Sequence, residues 1–197
     1  MKVRFGEIVV IWNGEMEYEG SHKKYVPDGK GKVKKGNDVM MDGEFVKGKF
    51  VKGKMELLVK NDEKYQFEGN LVKSLMIKWN AYPVREISGK GKWMKAGNGD
   101  KEYYKGDIVN NKRHGRGKLF EKHNDEWRIV YDGEWRDDSF NGTGKLITNE
   151  GNIYEGDFVN GKLLGGKLTM KNGVVYEGEF ENGKMAGKGV IDRKSVV

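Results

Sequence analysis

The chain has no cysteine among its 197 residues, which removes disulfides, thiolate metal sites and thiol nucleophiles from consideration. Proline is also scarce, with two residues against thirty glycines. Long apolar runs are missing. After Met1, Lys2 and Arg4 comes only Ile8 to Trp12, too short for a signal-peptide core and far too short to span a bilayer. The expectation is a soluble, cytoplasmic protein.

What is present narrows the fold. With 36% apolar and 34% charged residues, the chain is too charged and too glycine-rich for a compact two-layer core. An aromatic share of 11% nevertheless argues against disorder, because large apolar side chains can offset the entropy of ordering. A single-layer structure with narrow apolar stripes satisfies both facts. The formal charge of +7 is placed unevenly: residues 1 to 99 hold 20 Lys/Arg and 13 Asp/Glu, and residues 100 to 197 hold 17 of each. The whole excess lies in the first half, which points to an acidic partner there.

A motif of a large residue, an acid, glycine, a polar residue and another large residue recurs along the chain. Clear copies are Met41-Asp42-Gly43-Glu44-Phe45, Tyr131-Asp132-Gly133-Glu134-Trp135, Tyr154-Glu155-Gly156-Asp157-Phe158 and Tyr176-Glu177-Gly178-Glu179-Phe180. Degenerate copies centre on Gly20, Gly69 and Gly106. A glycine pair stands nine and eleven residues beyond four of the seven centres: Gly29 and Gly31, Gly115 and Gly117, Gly142 and Gly144, Gly187 and Gly189. The third copy delays its pair to Gly89 and Gly91, an insertion of eleven residues. The second and sixth copies keep only part of the pair, at Gly53 and at Gly165-Gly166.

These units resemble the MORN repeat, whose pattern is Tyr-x-Gly-x-aromatic, a turn, then Gly-x-Gly. The resemblance covers roughly residues 16 to 192. It implies an all-β fold: an elongated single-layer stack of about seven antiparallel β-hairpins. Residues 1–15 read as an N-terminal capping strand and turn, 16–192 as the repeat array with an insertion at 74–88, and 193–197 as a tail. Proteins of this family range from membrane-contact proteins to cytoskeletal scaffolds, so the resemblance implies a stand-alone repeat module and leaves its partner open.

The residues give the same hairpins independently. Asn160-Gly161 and Asn182-Gly183 suit two-residue type I′ turns, in which both positions take positive φ. Counting outward from Asn160-Gly161 sets Phe158 opposite Leu163, Gly156 opposite Gly165 and Glu155 opposite Gly166. The last repeat by the same count sets Phe180 opposite Met185, Glu177 opposite Lys188 and Tyr176 opposite Gly189. Alternation along a strand puts Tyr, Gly and Phe/Trp on one face and the acids on the other. A Tyr ring over the opposing glycine would cover bare backbone, as for Tyr18 with Gly31, Tyr104 with Gly117 and Tyr131 with Gly144. On the other face acids should meet lysines, with Glu19 against Lys30.

Function is expected where the repeat is exposed or broken. Because a single layer leaves its aromatic face uncovered, Trp135, Phe158 and Phe180 are candidates for a groove that takes a peptide or helix. The insertion carries Met76, Trp79 and Tyr82, residue types of interface hot spots, as further partner-binding candidates. Lys30, Lys32, Lys47, Lys49, Lys52 and Lys54 are candidates for anionic lipid headgroups. The Gly-Lys-Gly-Lys stretches neither open a helix nor continue to Lys-Ser/Thr, so they are not phosphate loops. His22, His114 and His123 sit in separate repeats near turns, without catalytic or metal-ligand spacing. No catalytic residue, metal or cofactor is expected. The leading expectation is a non-catalytic, protein-binding scaffold that self-associates as a homodimer. The alternative is a peripheral binder of anionic phospholipid at a membrane, with nucleic acid the weakest reading and a cytoskeletal location also open.

Overall fold

The computed structural model describes residues 2–4, 7–12, 16–24, 26–58, 64–76, 87–95 and 101–193, with side chains described over 16–24, 26–56, 64–71, 87–94 and 101–192. The described residues form sixteen strands and no helix. They divide into two compact units, residues 1–100 with 108–111, and residues 101–107 with 112–197. The first unit contains β1 (Lys2–Arg4), β2 (Glu7–Trp12), β3 (Met16–Lys23), β4 (Val26–Lys35), β5 (Asp38–Val46), β6 (Lys49–Leu58), β7 (Lys64–Met76) and β8 (Gly89–Lys95). The second contains most of β9 (Glu102–Val109), then β10 (Lys112–His123), β11 (Glu126–Arg136), β12 (Ser139–Ile147), β13 (Ile153–Val159), β14 (Lys162–Thr169), β15 (Val174–Glu181) and β16 (Lys184–Arg193). Within each unit the strands lie side by side in chain order, and the neighbours are antiparallel.

The turns follow from their residues. Asn160 and Gly161 have φ of 49° and 81°, Asn182 and Gly183 of 53° and 77°, and Lys47 and Gly48 of 48° and 77°. Positive φ at both central positions is the I′ geometry, whose twist matches that of the flanking strands. Lysine at the first position of the 47–48 turn bears a steric cost that asparagine at 160 largely avoids.

A continuous row of glycines crosses each unit. In the first unit Gly20, Gly31, Gly43, Gly53, Gly69 and Gly91 stand opposite one another from strand to strand. In the second unit the row runs Gly117, Gly133, Gly144, Gly156, Gly166, Gly178 and Gly189. The backbones approach too closely for side chains: a Cβ on Gly133 or Gly178 would lie 2.5 Å from the Cα of the glycine opposite. Apolar rows flank the glycines on the core face. On one side Tyr18, Val33, Met41, Met55, Phe67 and Trp93 pair in succession. On the other, Phe45 pairs with Phe50 and Trp135 with Phe140.

The two rows meet above the glycines. Ring centroids of Tyr18 and Phe45 are 5.2 Å apart, those of Tyr131 and Trp135 5.1 Å, and those of Tyr176 and Phe180 5.2 Å. The sheet thus supplies both walls of its own core, and edge-to-face packing adds to the burial of each ring. The expectation of an open aromatic face is corrected here. Trp135, Phe158 and Phe180 are 3%, 1% and 5% exposed, because the neighbouring row fills the trough that a flat sheet would leave empty.

The counted register also needs correction away from the turn. Phe158 does face Leu163 and Phe180 does face Met185. Beyond them a bulge intervenes: Gly156 pairs with Gly166, not Gly165, and Glu155 with Lys167, not Gly166. In the last hairpin Gly178 pairs with Gly189, Glu177 with Val190 and Tyr176 with Ile191. Likewise Glu19 stands opposite Lys32, not Lys30. Where a Gly-x-Gly pair is present its first glycine takes up the bulge, whereas the β5–β6 and β13–β14 hairpins bulge without one. Gly115, Gly142 and Gly187 have φ of 56°, 70° and 56°, a conformation that lets a strand bulge, and the second glycine then resumes the row.

The tyrosines serve these bulges. Tyr18, Tyr104, Tyr131 and Tyr176 donate their hydroxyls to the carbonyls of Ser21, Asp107, Glu134 and Glu179 at 2.6, 2.9, 3.0 and 2.9 Å. Tyr104 also reaches the carbonyl of His114, and Tyr176 that of Ala186, just before the bulge glycine. Each ring lies over the second glycine of its pair, so the expected ring-on-glycine contact holds although the two residues are diagonal. The two hairpins without a Gly-x-Gly pair carry Met41 and Tyr154 at this position, and Tyr154 makes no such bond. Tyrosine and glycine pair are therefore one device: the bulge frees carbonyls, and the hydroxyl satisfies them.

Candidate interaction surfaces

The face opposite the core is polar and follows the same grid. Immediately on one side of the glycines runs a ladder of alternating charge. In the first unit it is Glu19, Lys32, Asp42, Lys54, Glu68 and Lys92, and in the second Lys118, Asp132, Lys145, Glu155, Lys167 and Glu177. Lys32 reaches Asp42 at 3.3 Å, Lys54 reaches Glu68 at 3.9 Å, Lys118 reaches Asp132 at 2.7 Å and Lys145 reaches Glu155 at 3.0 Å. Lys34 also bonds Glu19. Each exposed pair is worth about 0.2–1 kcal/mol, so the ladder's effect is mainly to neutralise the row and fix register.

On the other side of the glycines, toward the turns, the row is incomplete. Its first-unit members are Lys30, Glu44, Lys52, Asn70 and Lys90 in pairing order. Those of the second unit are Asp107, Arg116, Glu134, Thr143, Asp157, Gly165, Glu179 and Lys188, the bulge setting Ala186 rather than Lys188 opposite Glu179. The first unit thus has three cations and one anion in this row, and the second two cations and four anions. Beside the row lie exposed valines, Val46 at 50% and Val109 at 42% in the first unit and Val159 at 44% in the second, together with Leu164 at 50%.

The six lysines singled out in the sequence therefore have different surroundings. Lys32 and Lys54 belong to the neutral ladder. Lys30 and Lys52 occupy the incomplete row on either side of Glu44, and neither has a carboxylate within salt-bridge distance among the described residues. Lys47 is in the tip turn, and Lys49 begins β6 beside Val46. Exposed Val26 adjoins that tip, where the Gly48 amide donates to the Pro27 carbonyl at 2.8 Å.

The aromatic candidates are fixed parts of the core. Trp135 donates its indole N–H to the Gly117 carbonyl at 3.0 Å, and the Arg113 guanidinium stacks 4.5 Å above its ring. Arg113 in turn holds Asp138 at 3.1 Å. Of the insertion candidates, Trp79, Tyr82 and the side chain of Met76 lie outside the described residues, while the Met76 backbone closes β7 opposite Lys49. The segment's return is anchored: Ile87 is 2% exposed, its amide donates to Asn111 Oδ1 at 2.8 Å, and its carbonyl accepts from the Asn111 amide at 3.0 Å.

A cleft of about 380 Å³ opens in the first unit between ladder residues Asp42, Lys54, Glu68 and Lys92 and the flanking Val39 and Met94. A smaller one occupies the same rows in the second unit beside Lys167 and Glu177. Among the described residues no group of His, Asp and Glu is arranged to hold a metal ion.

Sequence reasoning missed the split between a complete and an incomplete charge row. The signal was present in the residue after each motif glycine and the residue before each second glycine. Without the bulges, those positions could not be aligned.

A sheet of hairpins that buries Tyr18, Tyr131, Tyr176, Trp135, Phe158 and Phe180 under its own rows, and turns its charge ladder outward, is a repeat protein. The MORN repeat model matches at residues 104–122, 131–153, 154–165 and 176–195, so the second half of the chain is an array of MORN repeats. MORN repeats are commonly modules that bind proteins or membranes and are typically non-catalytic. No curated protein matches the chain.

Proposed function

We propose that the chain is a non-catalytic scaffold that binds a protein partner through the outer face of its hairpins. The incomplete charge row carries this reading. Lys30, Lys52, Asp157 and Glu179 in it are exposed, with no salt bridge among the described residues, and valines adjoin them, whereas the aromatic face is filled by the protein itself. Apolar area rimmed by charge is a common composition for interaction surfaces. The test is affinity capture with three baits: wild type, Lys30→Glu with Lys52→Glu, and Asp157→Lys with Glu179→Lys. Loss of specific partners on one of the variants is expected. If both folded variants retain the wild-type set, the reading fails.

A second reading, attachment to an anionic membrane from the cytoplasmic side, is favoured by one further observation. Lys47 in the β5–β6 turn and Lys49 opposite Val46 put cations beside exposed Val46, with exposed Val26 against Gly48 of the same turn. Sedimentation with phosphatidylserine vesicles should then fall with added salt and with substitution of Lys47, Lys49 and Lys52. Binding indifferent to those lysines would remove it. Nucleic acid is the weakest reading, tested by a salt-dependent gel shift.

A further inference from the structure

We infer that the incomplete rows of the two units are docking surfaces for each other across two copies of this chain. The inference rests on the scaffold reading above and names the partner as a second copy.

In each hairpin the row has two sites, one after the motif glycine on the first strand and one before the second glycine on the return strand. In the first unit the return strands carry Lys30, Lys52 and Lys90, while two of the three first-strand sites are the uncharged Ser21 and Asn70. In the second unit the first strands carry Asp107, Glu134, Asp157 and Glu179, while the return strands carry Arg116, Thr143, Gly165 and Lys188. The first unit's row thus holds three cations and one anion, and the second's four anions and two cations, so their net signs are opposite.

The spacing matches as well as the sign. Lys30, Lys52 and Lys90 lie on β4, β6 and β8, and Glu134, Asp157 and Glu179 on β11, β13 and β15, every second strand in both cases. Strands about 4.8 Å apart give both rows a period of roughly 10 Å, so one face laid on the other brings three cations opposite three carboxylates. Lys30, Lys52, Asp157 and Glu179 are exposed and have no salt bridge among the described residues. Exposed Val46 and Val109 on one face and Val159 and Leu164 on the other provide apolar contact beside the charges. A generic polyanion would suit only the first row and a polycation only the second. A second copy suits both.

The test is sedimentation velocity on the full chain at low and high salt. Wild type should exceed monomer mass at low salt and dissociate as salt rises. Lys30→Glu with Lys52→Glu makes both faces acidic, and Asp157→Lys with Glu179→Lys makes both basic. Each double variant should weaken association by at least about tenfold with its circular dichroism unchanged. Mixing the two should restore it, since acidic first-unit faces then meet basic second-unit faces. A wild type that stays monomeric at low salt, or association untouched by both doubles, overturns the inference. A monomeric wild type whose Lys30→Glu, Lys52→Glu variant still loses captured partners or anionic vesicles overturns it too, but leaves the binding-module reading standing.

Discussion

The two units share a glycine row, apolar rows that close over it and a neutral charge ladder, yet they differ on both faces. Among the described residues the first unit anchors one bulge with a tyrosine hydroxyl, that of Tyr18, and the second anchors three, those of Tyr104, Tyr131 and Tyr176. In the first unit Met41 and Phe67 stand where tyrosine would. Outside, the incomplete row is basic in one unit and acidic in the other. What is common to the units is what holds neighbouring strands together. What varies is side chains that touch little else, and those are the positions available for recognition.

The shared row should break first. Gly144→Val in the second unit and Gly53→Val in the first each place a branched side chain against backbone or the Tyr131 ring. Each is expected to cost about 3 kcal/mol or more in urea unfolding. Tolerance at either position would mean that the row is not equivalent in the two units. The tyrosine device comes next: Tyr131→Phe should cost about 1–2 kcal/mol, because it strands a buried carbonyl. Tyr154→Phe, with no bond to lose, should stay within about 0.5 kcal/mol.

Alkali should sharpen the same contrast. Burial, aided by nearby Asp28, pushes Tyr18 up to about 12, and burial with Glu134 and Asp132 does the same to Tyr131. Burial also raises Tyr104, with Asp107 adding to it. Since the folded state keeps protons that the unfolded chain releases near the ordinary tyrosine value of 10, these groups contribute full stability below that pH. The contribution is lost as pH rises from about 10 through about 12. Tyrosinate absorbance during alkaline unfolding should show the second unit, with two of the three shifted groups, yielding first. Smallest should be the ladder: Lys145→Ala removes a 3.0 Å pair and Lys54→Ala a 3.9 Å pair, each within about 1 kcal/mol.

Much of this fold was legible from residue types alone. Asn160-Gly161 specified a turn geometry that few other pairs accept, and the recurrence of glycine with tyrosine marked the hairpins. Register was not legible past Phe158, because a bulge adds residues to one strand without changing composition. Burial of Trp135 and Phe180 was also hidden. Alternation assigns a face to a side chain but not the curl that brings two rows of one face together. The lysine excess was visible, but which lysines were already neutralised depended on pairing that the bulges had shifted.

The pairing of Gly69 with Gly91 has one more consequence. These two residues are separated by 22 positions, where other hairpins use ten or eleven, yet they meet in the same row. The row therefore acts as a phase mark, and chain length between marks is free. An excursion may leave at one glycine and return at the next without disturbing the strands beyond it. A foreign segment inserted at the 160–161 tip, with Gly156 and Gly166 left in place, should be carried as cargo by an otherwise unaltered sheet.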